Sequence, residues 1–262
     1  MLYNLCMNDS MNNAIYQEKR KIDFIPLLTF IGLYVVENFS SAFMIPLVRD
    51  SGDSSLISLV WMITKLIPLL IAIIIYRKRF ASLSKDTAKG FGKFLLYCLV
   101  SFIVFYFFEI GLSYYQQLID KLYEMGEASN QETINELFES SSKYANYIYL
   151  FITIVIAAPL LEEFEFRELI FKAFRGCHFI VPVIVSSLLF GLAHTLSYIL
   201  EGDLKELLFL PVYMIPGFAL SLIYHYSKNN LYASFLVHMT TNLISFIVII
   251  NQINQAVPTA EI

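Results

Sequence analysis

Cysteine is scarce in this chain. Its three residues, Cys6, Cys98 and Cys177, are scattered, odd in number and without a CxxC pair, which excludes a disulfide framework and a thiolate metal site. Cys98 lies in an apolar stretch with no histidine close in sequence, a poor setting for a nucleophile. Charge is scarce too, at 15% of 262 residues, and the net −4 carries no information about nucleic acid, which is not an expected partner. There is no internal repeat, no low-complexity tract and no Gly-rich phosphate loop. A cleavable leader is not expected, because about twenty polar residues precede the first apolar run and that run is itself long enough to span.

What is abundant is apolar: 57% of residues are hydrophobic and the mean hydropathy is +0.62. These residues fall in long blocks rather than alternating patterns, which predicts an all-α, polytopic transmembrane helical bundle rather than a soluble fold. We read about seven spans, within a range of six to eight, over 24–48, 56–76, 93–115, 146–172, 179–200, 206–227 and 230–252. The implied organisation is an N-terminal arm (1–23), N-terminal transmembrane helices (24–115), an external polar segment (116–145), a transmembrane core (146–252) and a C-terminal tail (253–262). Basic residues sort by loop: Lys19, Arg20 and Lys21, then Arg77 to Lys93, then Lys172 and Arg175 share one side. The other side has only Arg49, Lys121, Lys143 and Lys205. The positive-inside rule therefore predicts a multi-pass cell-membrane protein with a cytoplasmic N-terminus. A composition rich in Ile, Lys, Asn and Tyr suggests a bacterial source.

Ionisable residues inside spans need a partner or a function. Glu37 and Lys65 fall at similar depth on spans one and two, as a buried ion pair would require, and Glu109 lies toward the outer end of span three. Three sets follow on later spans. EEFEFR puts Glu163 and Arg167 four residues apart on one helix face, where carboxylate and guanidinium meet, and leaves Glu162 pointing elsewhere. FGLAH puts His194 one turn after Phe190, whose expected role is packing. HMTTN puts His238 and Asn242 one turn apart. Counting rise along the helices brings Glu162, His194, His238 and Asn242 toward a common cavity below the membrane surface. Each set has a bland alternative: a helix ion pair, a hydrogen-bonded core histidine, an interhelical asparagine. One polar site explains all three together.

EExxxR, FxxxH and HxxxN, in this order on successive spans, resemble the motifs of the CAAX prenyl endopeptidase and bacteriocin-processing (CPBP, or Abi) family of intramembrane proteases. The resemblance covers 146–250; family members commonly have glycine after the motif arginine, where this chain has Glu168. It implies a peptidase in which Glu162 activates water as general base and His194 orients that water or binds a metal. His238 and Asn242 would polarise the scissile carbonyl and stabilise the oxyanion, with Glu163, Arg167 and Phe190 in support. Glu162, His194 and His238 also make a three-ligand zinc set with an open water position, so glutamate-dependent and zinc-dependent versions both stand. HExxH, GxGD and GxSG motifs of other intramembrane proteases are absent. The implied substrate is a peptide precursor or membrane-protein segment in the bilayer, approached from the cytoplasmic side or through a lateral lipid-facing gap, with a membrane-protein regulatory partner also expected. Against the peptidase stand a non-catalytic scaffold or bacteriocin self-immunity protein of the same fold, and a transporter.

Overall fold

The computed structural model describes residues 22–124, 126–139 and 144–256. The basic cluster at 19–21, Lys143 and the last residues of the tail therefore lie outside the described residues. Among the described residues there is no strand, and seven helices are long and apolar enough to cross a membrane. The chain is a polytopic helical bundle.

Helix α1 (Phe24–Arg49) starts on Asp23, whose carboxylate accepts from the Ile25 N–H at 3.2 Å. A turn through Gly52, in the left-handed region at φ 65°, leads to α2 (Ser54–Ile75), capped by Asp53 accepting from the Ser55 N–H at 2.9 Å. A short helix, α3 (Arg77–Lys89), then occupies most of the basic loop, where no helix was expected. Its residues are too polar to register as a span, and it is held by long-range partners described below. Helix α4 (Phe91–Tyr123) continues to Tyr123, past the 115 at which its apolar run thins. The helix thus runs on into the polar segment, which also carries α5 (Ser129–Glu139).

Helix α6 is irregular. It passes through Tyr144–Phe151, a π-helical turn at Ile152–Ala157, Ala158–Glu162, a second π-helical turn at Glu163–Leu169, and Ile170–Ala173. Pro159 sits between the two π turns and has no N–H to give to the helix. In the i→i+5 register of the first turn, where the Ala158 N–H reaches the Thr153 carbonyl, the orphaned acceptor is the carbonyl of Ile154. Helix α7 (Ile180–Leu200), a 3-10 turn (Leu204–Phe209), α8 (Leu210–Tyr226) and α9 (Leu231–Ala256) complete the bundle.

Helices α7 and α8 approach closely at Gly217, where an added Cβ would stand 3.1 Å from the Phe190 ring. The main hydrophobic core fills the end of the bundle that carries α3. Phe30, Leu33, Leu83, Phe164, Ile170 and Tyr224 belong to it, and Phe164 stacks on Phe80 at 5.4 Å. Helix α5 lies across the opposite end, tethered where the Ser129 N–H donates to buried Glu206 at 3.0 Å.

Candidate functional site

Span four contributes four acidic residues and one arginine to the interior. Glu163, Glu165, Arg167 and Glu168 are all fully buried, while Glu162 faces a cavity. Arg167 Nη2 lies 3.2 Å from Glu163 Oε1, a charge contact along one helix. Arg167 Nη1 donates to Ser186 Oγ on α7 at 3.3 Å, and its guanidinium carbon lies 4.7 Å from the centre of the Phe190 ring. Phe190 is thus a packing post. Its ring touches Phe166, His194 and His238 at centroid separations of 5.4, 4.7 and 6.0 Å.

Glu163 has a second partner that the sequence did not reveal. His238, from α9, directs Nδ1 to Glu163 Oε1 at 3.1 Å and Nε2 toward Glu162 Oε2 at 3.8 Å. A carboxylate can only accept, so Nδ1 is the donor and Nε2 is the nitrogen that faces the cavity. One imidazole is therefore hydrogen-bonded to Glu163 and turns its other nitrogen toward Glu162, beyond hydrogen-bond distance. His194 Nδ1 lies 2.8 Å from the Phe190 carbonyl, which also can only accept. The Nδ1 tautomer is fixed by this contact and the Nε2 lone pair is left free.

Asn242 lines the same cavity, but its Nδ2 donates to the Ile154 carbonyl at 2.9 Å. That is the acceptor orphaned by Pro159 and the π turn, so Asn242 makes an interhelical hydrogen bond, and one amide proton is committed to it. Pro159 was the available signal for this contact; the missing step was the π register.

The cavity has a volume of about 1160 Å³. It is lined by Glu162, His194, His238 and Asn242, and also by Glu37, Lys65 and Glu109 from the first three spans. Glu37 and Lys65 form the expected ion pair. Glu165 is buried with neither carboxylate oxygen hydrogen-bonded among the described residues, and its nearest charges are Glu37, Lys65 and Glu162. Glu168 is the hub of a separate network. Arg79 Nε donates to it at 2.7 Å, Lys172 Nζ lies at 2.7 Å, and the Tyr224 hydroxyl donates at 2.7 Å. Glu168 thereby fastens α3 to α6 and α8.

Among the described residues, no group of three or more His, Cys, Asp or Glu side chains gathers closely enough to hold a metal ion. Glu162 and His238 face each other, but His194 does not close a three-ligand set with them, and His238 Nδ1 is occupied by Glu163. As placed, these residues do not fit the metal.

The family model described as "Type II CAAX prenyl endopeptidase Rce1-like" matches residues 144–244. This segment is similar to that family. The Rce1-like segment holds every one of the EExxxR, FxxxH and HxxxN residues. Among relatives, an uncharacterized protein of Mycoplasma capricolum is 34% identical over 169 residues, 63% of this chain and 47% of that one. The membrane-embedded CAAX protease MroQ of Staphylococcus aureus is 38% identical over 114 residues, 41% of this chain and 40% of that one. YdiL of Bacillus subtilis is 24% identical over 234 residues, 82% of this chain and 85% of that one. The chain thus spans less than half the length of the first two. No solved structure matches it.

Proposed function

We propose that the protein is an intramembrane endopeptidase in which Glu162 activates water. The observation that carries this reading is that His238 is hydrogen-bonded to Glu163 and turns Nε2 toward the adjacent Glu162, which faces a cavity. In this reading the two carboxylates divide the work. Glu163 is held by Arg167 and fixes the His238 ring, as a carboxylate does for a catalytic imidazole in other hydrolases. Glu162 has no such commitment.

A water lodged against Glu162 loses a proton to the carboxylate as its oxygen bonds to the scissile carbonyl carbon. The free Nε2 of His194 accepts the second water proton as a hydrogen bond and holds the oxygen in line. His238, held at Nδ1 by Glu163, presents Nε2 beside the developing oxyanion, where a protonated ring donates to it, an interaction strengthened where water is sparse. Collapse of the tetrahedral intermediate breaks the C–N bond, and Glu162 passes its proton to the leaving amine. Asn242 acts mainly by fixing the π turn that sets where Glu162 points.

The bilayer as site of action, a peptide or membrane-protein segment as substrate, and a cytoplasmic N-terminus belong to the same proposal. They are supported by the spans, the loop charges and the Rce1-like segment. The direct test is turnover of quenched-fluorescent peptides by protein reconstituted in liposomes. Wild type cleaves, also after chelation, and Glu162→Gln at equal abundance does not. Equal turnover by that variant refutes the assignment. The scaffold reading has no comparable observation in its favour.

A further inference from the structure

The cavity does not run toward the basic end of the bundle. Between Glu162 and that end the interior is filled by the main core and closed by the Glu168, Arg79, Lys172 and Tyr224 network. No residue of α3, and none of the turns at 174–179 or 227–230, lines the cavity. In the other direction the cavity continues past Glu109, Ser113 and Gln116 to Asp120 and Glu127, beneath α5, and to Gln252 at the end of α9. It extends toward the face opposite the basic loops, which the positive-inside rule makes the external one, and reaches the underside of α5 there. The sequence had suggested cytoplasmic access, because Glu162 is about 16 Å from the Ala173 end of its helix and about 27 Å from the other. Depth along one helix does not report where the neighbouring helices pack shut.

The size and charge of this vestibule are informative. Its length along α4, from Phe105 at the level of the histidines to Asp120, is about 22 Å, room for six or seven extended residues at ~3.3 Å each. Its volume lies above the ~300–1,000 Å³ of small-molecule pockets. Its formal charges are Glu37, Glu109, Asp120, Glu127 and Glu162 against Lys65 alone. Glu37 is neutralised by Lys65, and Asp120 and Glu127 accept from neutral groups, the Gly126 N–H at 2.9 Å and Asn135 Nδ2 at 2.6 Å. Glu109 lies within a span and has no ion-pair or hydrogen-bond partner among the described residues; the one charge-bearing group of the chain that acts on it is His238, which is already held by Glu163. An intramembrane carboxylate facing a cavity calls for a cationic partner from outside the chain.

We propose that a polypeptide segment enters this vestibule from the external face and that Glu109 takes a lysine or arginine side chain of that segment. As a statement about substrate it rests on the peptidase reading. The entry side and the charge selection are measurable without turnover.

The experiment uses Ser113→Cys in the full chain, with Cys6, Cys98 and Cys177 replaced by alanine and Glu162 replaced by glutamine so that nothing is cleaved. Ser82→Cys, on α3, reports the opposite face. In right-side-out membrane vesicles a membrane-impermeant maleimide labels Ser113→Cys directly and Ser82→Cys only after permeabilisation. An extended heptapeptide carrying lysine slows the labelling of Ser113→Cys at concentrations roughly tenfold below those needed by its glutamate counterpart, and Glu109→Gln removes that difference. Labelling of Ser113→Cys only after permeabilisation overturns the entry side. Equal protection by both peptides, protection by neither, or a preference that survives Glu109→Gln overturns the charge selection. Loss of turnover in the peptidase assay affects none of these readouts, so the two proposals fail separately.

Discussion

Replacing Glu163 by leucine isolates the fully buried guanidinium of Arg167. Removing one partner of a buried ion pair costs about 3–5 kcal/mol, because the remaining charge stays desolvated. Two contacts survive, the Ser186 hydroxyl at 3.3 Å and the Phe190 face at 4.7 Å. Together they offset about 1 kcal/mol, leaving a net loss of about 2–4 kcal/mol. The double variant Glu163→Leu/Arg167→Met removes both charges at similar volume. Such replacements are commonly neutral or better, so it should return to within about 1 kcal/mol of wild type, recovering most of the ~2–4 kcal/mol lost in Glu163→Leu. The assay is SDS-titrated unfolding of purified protein in mixed micelles. Turnover gives an independent reading: the double variant regains its fold but stays inactive, because His238 has lost the carboxylate that holds Nδ1. Additive destabilisation, with the double variant weaker than either single one, would refute the pairing. A double variant that is both stable and active would refute the role given to Glu163.

Asn242→Ala strands the Ile154 carbonyl in the interior and should cost about 1–3 kcal/mol in the same unfolding assay. If Asn242 acts through the π turn, a variant that also carries Pro159→Ala recovers part of that loss, since the restored N–H satisfies the carbonyl. Glu168→Gly leaves Arg79, Lys172 and the Tyr224 hydroxyl without their common acceptor. Because Arg79 and Lys172 are each one-third exposed, the cost is discounted to about 1–3 kcal/mol. It should appear as faster proteolysis within α3 before global unfolding.

The spans were legible because a bilayer sets helix length and composition, and hydropathy along the chain records both. The Glu163–Arg167 contact was legible for a similar reason, since spacing along one helix survives modest changes of pitch. The irregular winding of α6 was not. Pro159 gave a local warning, but two π turns redistribute side chains around the axis, and their compensation by Asn242 comes from a helix 88 residues away. The same limit hid the second partner of Glu163 and the anchoring of α3, whose sequence reads only as a basic loop. The direction of the cavity follows from which end the aromatic core fills. That is a property of seven packed helices, and no single motif carries it.

The most direct measurement compares wild type with Glu162→Gln, at matched abundance in cells lacking the native copy, by mass spectrometry of membrane and secreted peptides. A defined set of peptides or membrane proteins left untrimmed only in the variant is the predicted result. Identical peptide profiles in the two strains would contradict a glutamate-activated peptidase.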